Sequence, residues 1–418
     1  MGASTLKTLR LSLIDAFLCS LMVGVGETYL PAYVLSVGMN EIFAGILASL
    51  PLVSGAFLQL FTPKGVRKLG SHKSWVVGST ALQAISFLPL VYFSAHGAPN
   101  FWTLFVILTF YWAANFASGP AWNYWMGHVL PKEHACGYFA KRARISQVAL
   151  LIGIVGGGIC LHNKVELGPF SSVFGFIFFL GFVCRLGSSL LLSAQHFKKD
   201  WTLSQKYCGI QDSFRLFMKQ DVKKKFLMSF LPLQIAVYIS SPFVTPYLLA
   251  QVKIDYSAYM IAIGMSVVGK IIMMALIQKR QNKIDPFKLF ILGLLLISPS
   301  PWLWSLSQNY TYLVILQFTS GIAWACYEVG LQLIFFRDLK NEEKVPLLTV
   351  YNILSSTGII IGTAIGGQLL MSLGMNKFGY TAIFLIGGLV RFTFAFRMIQ
   401  VIRSWQNKYE PINVEKAA

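Results

Sequence analysis

The chain has 418 residues, of which 55% are hydrophobic and only 12% charged, and its formal net charge is +19. A water-soluble chain carries roughly 25% charged residues, so this composition, with a mean hydropathy of +0.61, excludes a soluble globular enzyme and points to lipid as the solvent. The positive charge is not gathered into the patch that nucleic acid would need: Lys and Arg fall in short connections between long apolar stretches, and no nucleic-acid partner is expected.

In chain order, twelve stretches read as membrane spans: 10–36, 41–62, 75–95, 101–128, 145–161, 170–194, 226–250, 257–278, 287–307, 311–336, 346–371 and 378–402. A helix needs about 20 residues at ~1.5 Å rise to cross ~30 Å of hydrocarbon. Helices satisfy their own backbone polar groups there, so the spans predict an all-α membrane protein. Lys7 and Arg10 stand at the start of the first span, and basic residues then fill every second connection. Lys64, Arg67, Lys68 and Lys73 follow span 2; Lys132, Lys141, Arg142 and Arg144 follow span 4; eight more lie between Lys198 and Lys225. Lys279, Arg280, Lys283 and Lys288 follow span 8, Arg337, Lys340 and Lys344 follow span 10, and Arg397, Arg403, Lys408 and Lys416 end the chain. The alternate connections hold only Lys164, Lys253 and Lys377, which leaves 29 basic residues on one side, 3 on the other and 3 within spans. The positive-inside rule then makes both termini cytoplasmic. The expected division is 1–195 as a first six-helix bundle, 196–225 as a basic cytoplasmic linker, 226–405 as a second bundle and 406–418 as a tail.

Cys19, Cys160, Cys184 and Cys326 fall in spans or at their ends, and Cys136 and Cys208 on the cytoplasmic side, where thiols stay reduced. No C-x-x-C pair exists, so neither a metal site nor a redox couple is expected, and no cofactor. The first span is too long for a signal-peptide core and is expected to be retained. Asn309-Tyr310-Thr311 matches a glycosylation sequon, read as chance in so short a connection.

The two halves of the chain repeat. FASGPAW (Phe116 to Trp122) in span 4 returns as FTSGIAW (Phe318 to Trp324) in span 10. IGIVGGGI from Ile152 parallels IGTAIGGQ from Ile361, IFFLGFVCR ending at Arg185 parallels IFLIGGLVR ending at Arg391, and Pro31 to Val37 parallels Pro246 to Val252. The order is the same in both halves and the offsets run from 202 to 215 residues. Six spans have been duplicated, and an even number keeps direction across the membrane. The halves are therefore parallel repeats about an axis along the membrane normal.

With its 6+6 arrangement, long central loop and basic loops after spans 2 and 8, the chain resembles the major facilitator superfamily over nearly its whole length. The resemblance implies that spans 1, 4, 7 and 10 line a central cavity, that 2, 5, 8 and 11 form the interface between bundles, and that 3, 6, 9 and 12 face lipid. The loop TPKGVRKLGSHK after span 2 departs from the family pattern, with Arg67 about where an acid is expected. No particular branch of the family is indicated.

Gln317, Gly321, Trp324, Glu328 and Gln332 share one face of span 10, at spacings of 4, 3, 4 and 4. The equivalent face of span 4 carries Asn115, Gly119, Trp122, Met126 and Leu130, and span 7 offers Gln234, Tyr238, Ser241 and Thr245. Indoles give flat apolar area with one N–H donor and amides give directional hydrogen bonds, which suits a solute site. Helix packing explains Trp122 and Trp324 equally well. Glu328 is the sharpest candidate: a carboxylate at the centre of a span costs roughly 2.5–3.5 kcal/mol, so it either carries a proton or is paired structurally. Glu27 in span 1 is the second such candidate. Asp15, nearer the cytoplasmic end, reads as a gate contact or a helix-terminus charge. Lys270 lies deeper than its stem can snorkel and requires a partner, an acid or a bound anion. Arg185 and Arg391 read as structural, reaching cytoplasmic helix ends or lipid phosphates. Gly153 and Gly157, and likewise Gly362 and Gly366, have the spacing that lets helices approach closely, which on spans 5 and 11 would let the halves rock while packed or serve static packing alone.

The expectation is a monomeric secondary transporter of a small organic solute, driven by protons, in a bacterial inner membrane. A uniporter or exporter of amphipathic cations, or a receptor-like protein that binds without flux, are the alternatives. No nucleophile motif, metal cluster or extramembrane domain suggests an enzyme.

Overall fold

The computed structural model describes residues 3–39, 41–58, 61–97, 99–162, 172–196, 221–254, 256–339 and 341–414, and all regular structure among them is helical. Most of the linker 196–225, and with it Cys208, lies outside the described residues, as do Lys164, Lys340 and Lys416. Helix 1 is Ala3–Val25, continued after a turn by Leu30–Ser36; helix 2 is Glu41–Leu58; helix 3 is His72–Ile85, continued by Phe87–His96. Helices 4, 5 and 6 are Phe101–Val129, Lys132–His162 and Val173–Ala194. Helix 7 is Asp221–Ser240, continued by short turns to Gln251; helix 8 is Tyr256–Lys279; helix 9 is Pro286–Ile297, continued by Ser300–Leu306. Helices 10, 11 and 12 are Tyr310–Asp338, Asn341–Leu373 and Lys377–Val414.

Eleven of these segments are long and apolar enough to cross a membrane. Helix 2, apolar along its 18 residues, stands between the first two of them in the chain. The protein is a multi-pass integral membrane protein. Several ends differ from the sequence reading because charged residues did not stop the helices. Helix 5 starts 13 residues before 145 and so contains Arg142, which hydropathy assigns to a loop; helix 7 starts at Asp221, inside the expected linker, and helix 12 runs into the expected tail as far as Val414. Asn309, the sequon residue, caps helix 10: its Oδ1 accepts from the Thr311 N–H at 2.9 Å.

The chain divides into two compact units, one of Met1–His134, Arg142–Ser213 and Leu339–Ile353, the other of Ala135–Lys141, Phe214–Asp338 and Leu354–Ala418. Each has its own apolar core. In the first, Met22, Tyr33, Phe87, Leu108 and Phe178 pack together; in the second, Ile239, Leu248, Trp304, Leu316 and Phe384. Outward-facing apolar side chains such as Trp102, Leu190, Leu389 and Phe396 are exposed, as lipid contact requires.

Helices 1 and 7 break at matching places, around Gly26 and Ser240, and helix 9 breaks at Ser298. Pro242 and Pro301 are one physical cause: proline has no N–H to give to the carbonyl four residues back. The glycine pairs on helices 5 and 11 lie against helices 1 and 7 of their own units. A Cβ on Gly153 would stand 2.8 Å from the Cα of Gly24, and one on Gly362 would collide with the Ile235 carbonyl oxygen. The sequence left rocking of the halves and static packing open for these glycines; in the structure they pack closely inside each unit.

Candidate functional site

In the second unit, helices 8 and 10 touch backbone to backbone. A Cβ on Gly321 would collide with the Ser266 carbonyl oxygen and lie 3.1 Å from the Lys270 nitrogen, and one on Gly269 would collide with the Phe318 carbonyl. Side chains beyond this contact are held within reach of each other. Lys270 Nζ donates to Glu328 Oε1 at 2.7 Å. The two side chains are 21% and 42% exposed, so the pair is open on one side rather than sealed in the packing. Tyr238 of helix 7, half-buried, lies within electrostatic reach of Glu328.

The other candidates of this unit divide around the pair. Trp324, one turn before Glu328, and Gln332, one turn after, are half-buried. The Trp324 ring meets Tyr327 edge to face with centroids 5.6 Å apart, and Tyr327 lies against Phe290. Gln317 is buried on the same stretch of helix as the Gly321 contact. Gln234 is buried and donates from Nε2 to Ser355 Oγ at 2.9 Å, which ties helix 7 to helix 11.

In the first unit Asp15 and Arg185 are buried, while the Arg142 side chain is 23% exposed and Glu27 is half-buried. Asp15 is 3% exposed. Its Oδ1 accepts from Ser188 Oγ at 2.6 Å and its Oδ2 from Arg142 Nη2 at 3.2 Å. Arg185, also 3% exposed, donates to Ser188 Oγ at 2.9 Å and to Gln83 Oε1 at 2.7 Å. The Arg142 guanidinium stands 4.2 Å over the ring of Trp122, which is buried beneath it. Further along helix 1, Glu27 Oε2 accepts from the Tyr111 hydroxyl at 2.5 Å, with Arg185 within electrostatic reach. Two acids thus meet two bases across helices 1, 3, 4, 5 and 6. Asn115 is half-buried on helix 4, away from this chain of contacts as far as the described residues show. Where helix 10 carries Glu328, helix 4 carries Met126, fully buried.

Arg185 and Arg391, read as structural from the sequence, differ from that reading only in their partners. Neither reaches lipid phosphates or a cytoplasmic helix end; both are buried in their own units with protein partners. Sequence reasoning also missed Arg142, Ser188, Gln83 and Tyr111. The Arg185–Ser188 spacing of three, which puts both on one helix face, was the available signal.

The sequence profile of the Major Facilitator Superfamily matches residues 226–412. No curated protein sequence matches the chain. Among solved structures, a variant of the E. coli fucose:proton symporter FucP superposes with a TM-score of 0.72 at 15% identity, covering 94% of this chain and 99% of that one. A bacterial homologue of the iron transporter ferroportin gives 0.73 at 12% identity, over 94% and 99% of the two chains. The human organic anion transporter MFSD10 (TETRAN) gives 0.72 at 10% identity, over 95% and 100%. The protein is a polytopic membrane protein with an accessible ion pair between two spanning helices. Its fold is that of the Major Facilitator Superfamily, and over residues 226–412 its sequence carries the family's pattern as well.

Proposed function

We propose that the protein is a secondary active transporter that moves a small organic solute by alternating access, with proton coupling at the Lys270–Glu328 pair. The observation that carries this reading is the 2.7 Å pair itself, placed on two membrane-spanning helices and half open. Charges in spans are costly and are kept where they act. A sealed pair would suit a purely structural tie; an open one can exchange its partner. Protonation of Glu328 breaks the pair and leaves Lys270 free to take a solute group, and solute release restores the pair and expels the proton. Trp324, Gln332 and Tyr238 surround the pair as solute contacts, with Gln234 and Gln317 as supports of the helices that carry them, and Asn115 and Trp122 are the solute contacts proposed on helix 4. Glu27, held by Tyr111, is the second proton site, and Asp15 with Arg142 forms a latch at the inner end of helix 1. The fold relatives agree in class: one is a fucose:proton symporter by its own description. The protein works as a monomer in a bacterial inner membrane, with both termini cytoplasmic, in keeping with the 29 to 3 division of its basic residues.

The test is thermal unfolding of the purified protein against a solute library at about pH 5.5 and about pH 7.5, beside Glu328→Gln. A ligand of the folded state raises the unfolding temperature by mass action. The expected result is a solute that stabilises the wild type more at the lower pH, because it binds the protonated form, and stabilises Glu328→Gln equally at both. Equal stabilisation of both proteins at both pH values would make Glu328 structural. Binding without uptake into proteoliposomes would point to a receptor-like role.

A further inference from the structure

Where helix 8 ends, the chain turns through Gln281–Lys283 into helix 9, and the turn borders a cavity of about 410 Å³. Its lining has two chemically distinct parts. One wall is apolar and comes from the two spanning helices, with Leu276 and Leu292 among its residues, each exposed on the outer surface of the bundle. The rim is basic, with Arg280, Lys283 and Lys288, all exposed. The single acid in the lining, Asp285, is already engaged: Oδ1 accepts from the Phe287 N–H at 2.9 Å and Oδ2 from Gln406 Nε2 at 2.9 Å. Among the described residues no carboxylate pairs with the three cations. The cavity therefore joins uncompensated positive charge to hydrocarbon-facing surface at the end of two membrane spans.

A soluble anion would use only the rim and would leave the apolar wall against water. A neutral lipid would cover the wall and leave the three cations without a counter-charge. An anionic amphiphile satisfies both at once, and at this depth in a membrane it need not be recruited from solution. We infer that this cavity is a binding site for an anionic phospholipid, with the phosphate between Arg280, Lys283 and Lys288 and an acyl chain along Leu276 and Leu292. Basic pockets at the cytoplasmic ends of spanning helices attract such headgroups, each cation adding a factor of about five in affinity.

Native mass spectrometry of the full-length protein in neutral detergent tests this with phosphatidylglycerol, phosphatidylcholine of the same chains, and glycerol phosphate. The wild type should retain phosphatidylglycerol in preference to phosphatidylcholine. The variant Arg280→Gln/Lys283→Gln/Lys288→Gln should lose that preference by on the order of a hundred-fold. Removing as much charge from the other basic turn, with Lys64→Gln/Arg67→Gln/Lys68→Gln, should leave it intact. Leu276→Gln, which keeps the rim and spoils the wall, should weaken retention as well. The inference fails if the first triple variant keeps the preference, or if both triple variants lose it equally, which is the signature of non-specific charge. It also fails if glycerol phosphate competes fully and Leu276→Gln changes nothing, since the site would then serve a soluble anion.

Discussion

Arg391 donates to five acceptors on two broken helices, and none of the five is an acid. Nη2 reaches the Val237 carbonyl at 2.8 Å, Ser240 Oγ at 3.0 Å and Ser241 Oγ at 2.9 Å; Nη1 reaches the Ile297 carbonyl at 3.2 Å and Ser300 Oγ at 3.0 Å. Residue 301 is proline, so the Ile297 carbonyl lacks the N–H of the fourth residue on, and the Ser300 hydroxyl at 2.9 Å and the guanidinium at 3.2 Å take its place. An ammonium cannot copy this, because its three hydrogens radiate from one point while the guanidinium fork spans two helices. Arg391→Lys is therefore expected to lose at least two charge-assisted bonds in a buried site, a cost of about 3–5 kcal/mol. Thermal unfolding in detergent reads this loss directly, with the exposed Arg397→Lys as a control expected within about 0.5 kcal/mol of wild type. The Lys270–Glu328 pair should behave in the opposite way. Half exposed, it contributes no more than about 1 kcal/mol to stability. A double-mutant cycle with Lys270→Met and Glu328→Gln should give a coupling of that size, while solute binding loses its pH dependence altogether. A coupling of about 3 kcal/mol or more would mark a structural tie instead.

Among the elements, the repeated stretch F-x-S-G-x-A-W shows how far sequence carries and where it stops. The pattern told that helices 4 and 10 are copies and that their faces carry Trp122 and Trp324. It could not tell that the two glycines have different neighbours. Gly321 lies on the backbone of Ser266 and Lys270, whereas a Cβ on Gly119 would meet nothing within 4 Å among the described residues. The difference belongs to the neighbouring helix, not to the motif. Gly119→Ala should thus be neutral or stabilise by about 0.5–1 kcal/mol through helix propensity. Gly321→Ala must push helices 8 and 10 apart, at about 1–3 kcal/mol, and should take the Lys270–Glu328 pair with it. Unfolding temperatures of the two variants, with the pH dependence of solute stabilisation, decide whether the contact sets the pair. The same limit explains the arginines. Hydropathy placed Arg142 in a loop because it scores charge and not the Asp15 carboxylate that accepts it across the unit. Arg185 and Arg391 looked lipid-facing because their partners are hydroxyls, an amide and carbonyls, which leave little trace in the sequence. Span order and repeat were legible since they rest on runs of apolar residues, the strongest periodic signal a membrane chain carries, whereas twelve spans were expected and eleven segments are long and apolar enough to cross.

Across the whole molecule the charge divides twice. Among the spanning helices, the first unit buries Asp15 and Arg185 and leaves Arg142 and Glu27 half-buried, and the second leaves Glu328 exposed beside Lys270. By the sequence reading, 29 basic residues belong to one side of the spans and 3 to the other, with Arg142 counted among the 29 although helix 5 takes it up. The second division is the argument for orientation, since translocating a short basic loop is opposed in proportion to its Lys and Arg content. The turn Gln281–Lys283 and the connection containing Lys253 follow consecutive spanning helices, so one must be cytoplasmic and the other external. In a background with the native cysteines replaced by serine, Lys283→Cys should react with a membrane-impermeant maleimide only in inside-out vesicles. Lys253→Cys should react from outside intact cells. The reverse pattern would invert the whole chain. It would also move the cavity bordered by Arg280, Lys283 and Lys288 to the outer leaflet, where anionic lipid must be supplied by a different membrane face. Because both sites sit on connections flanking helix 8, a single labelling experiment on the two variants settles the orientation of that helix.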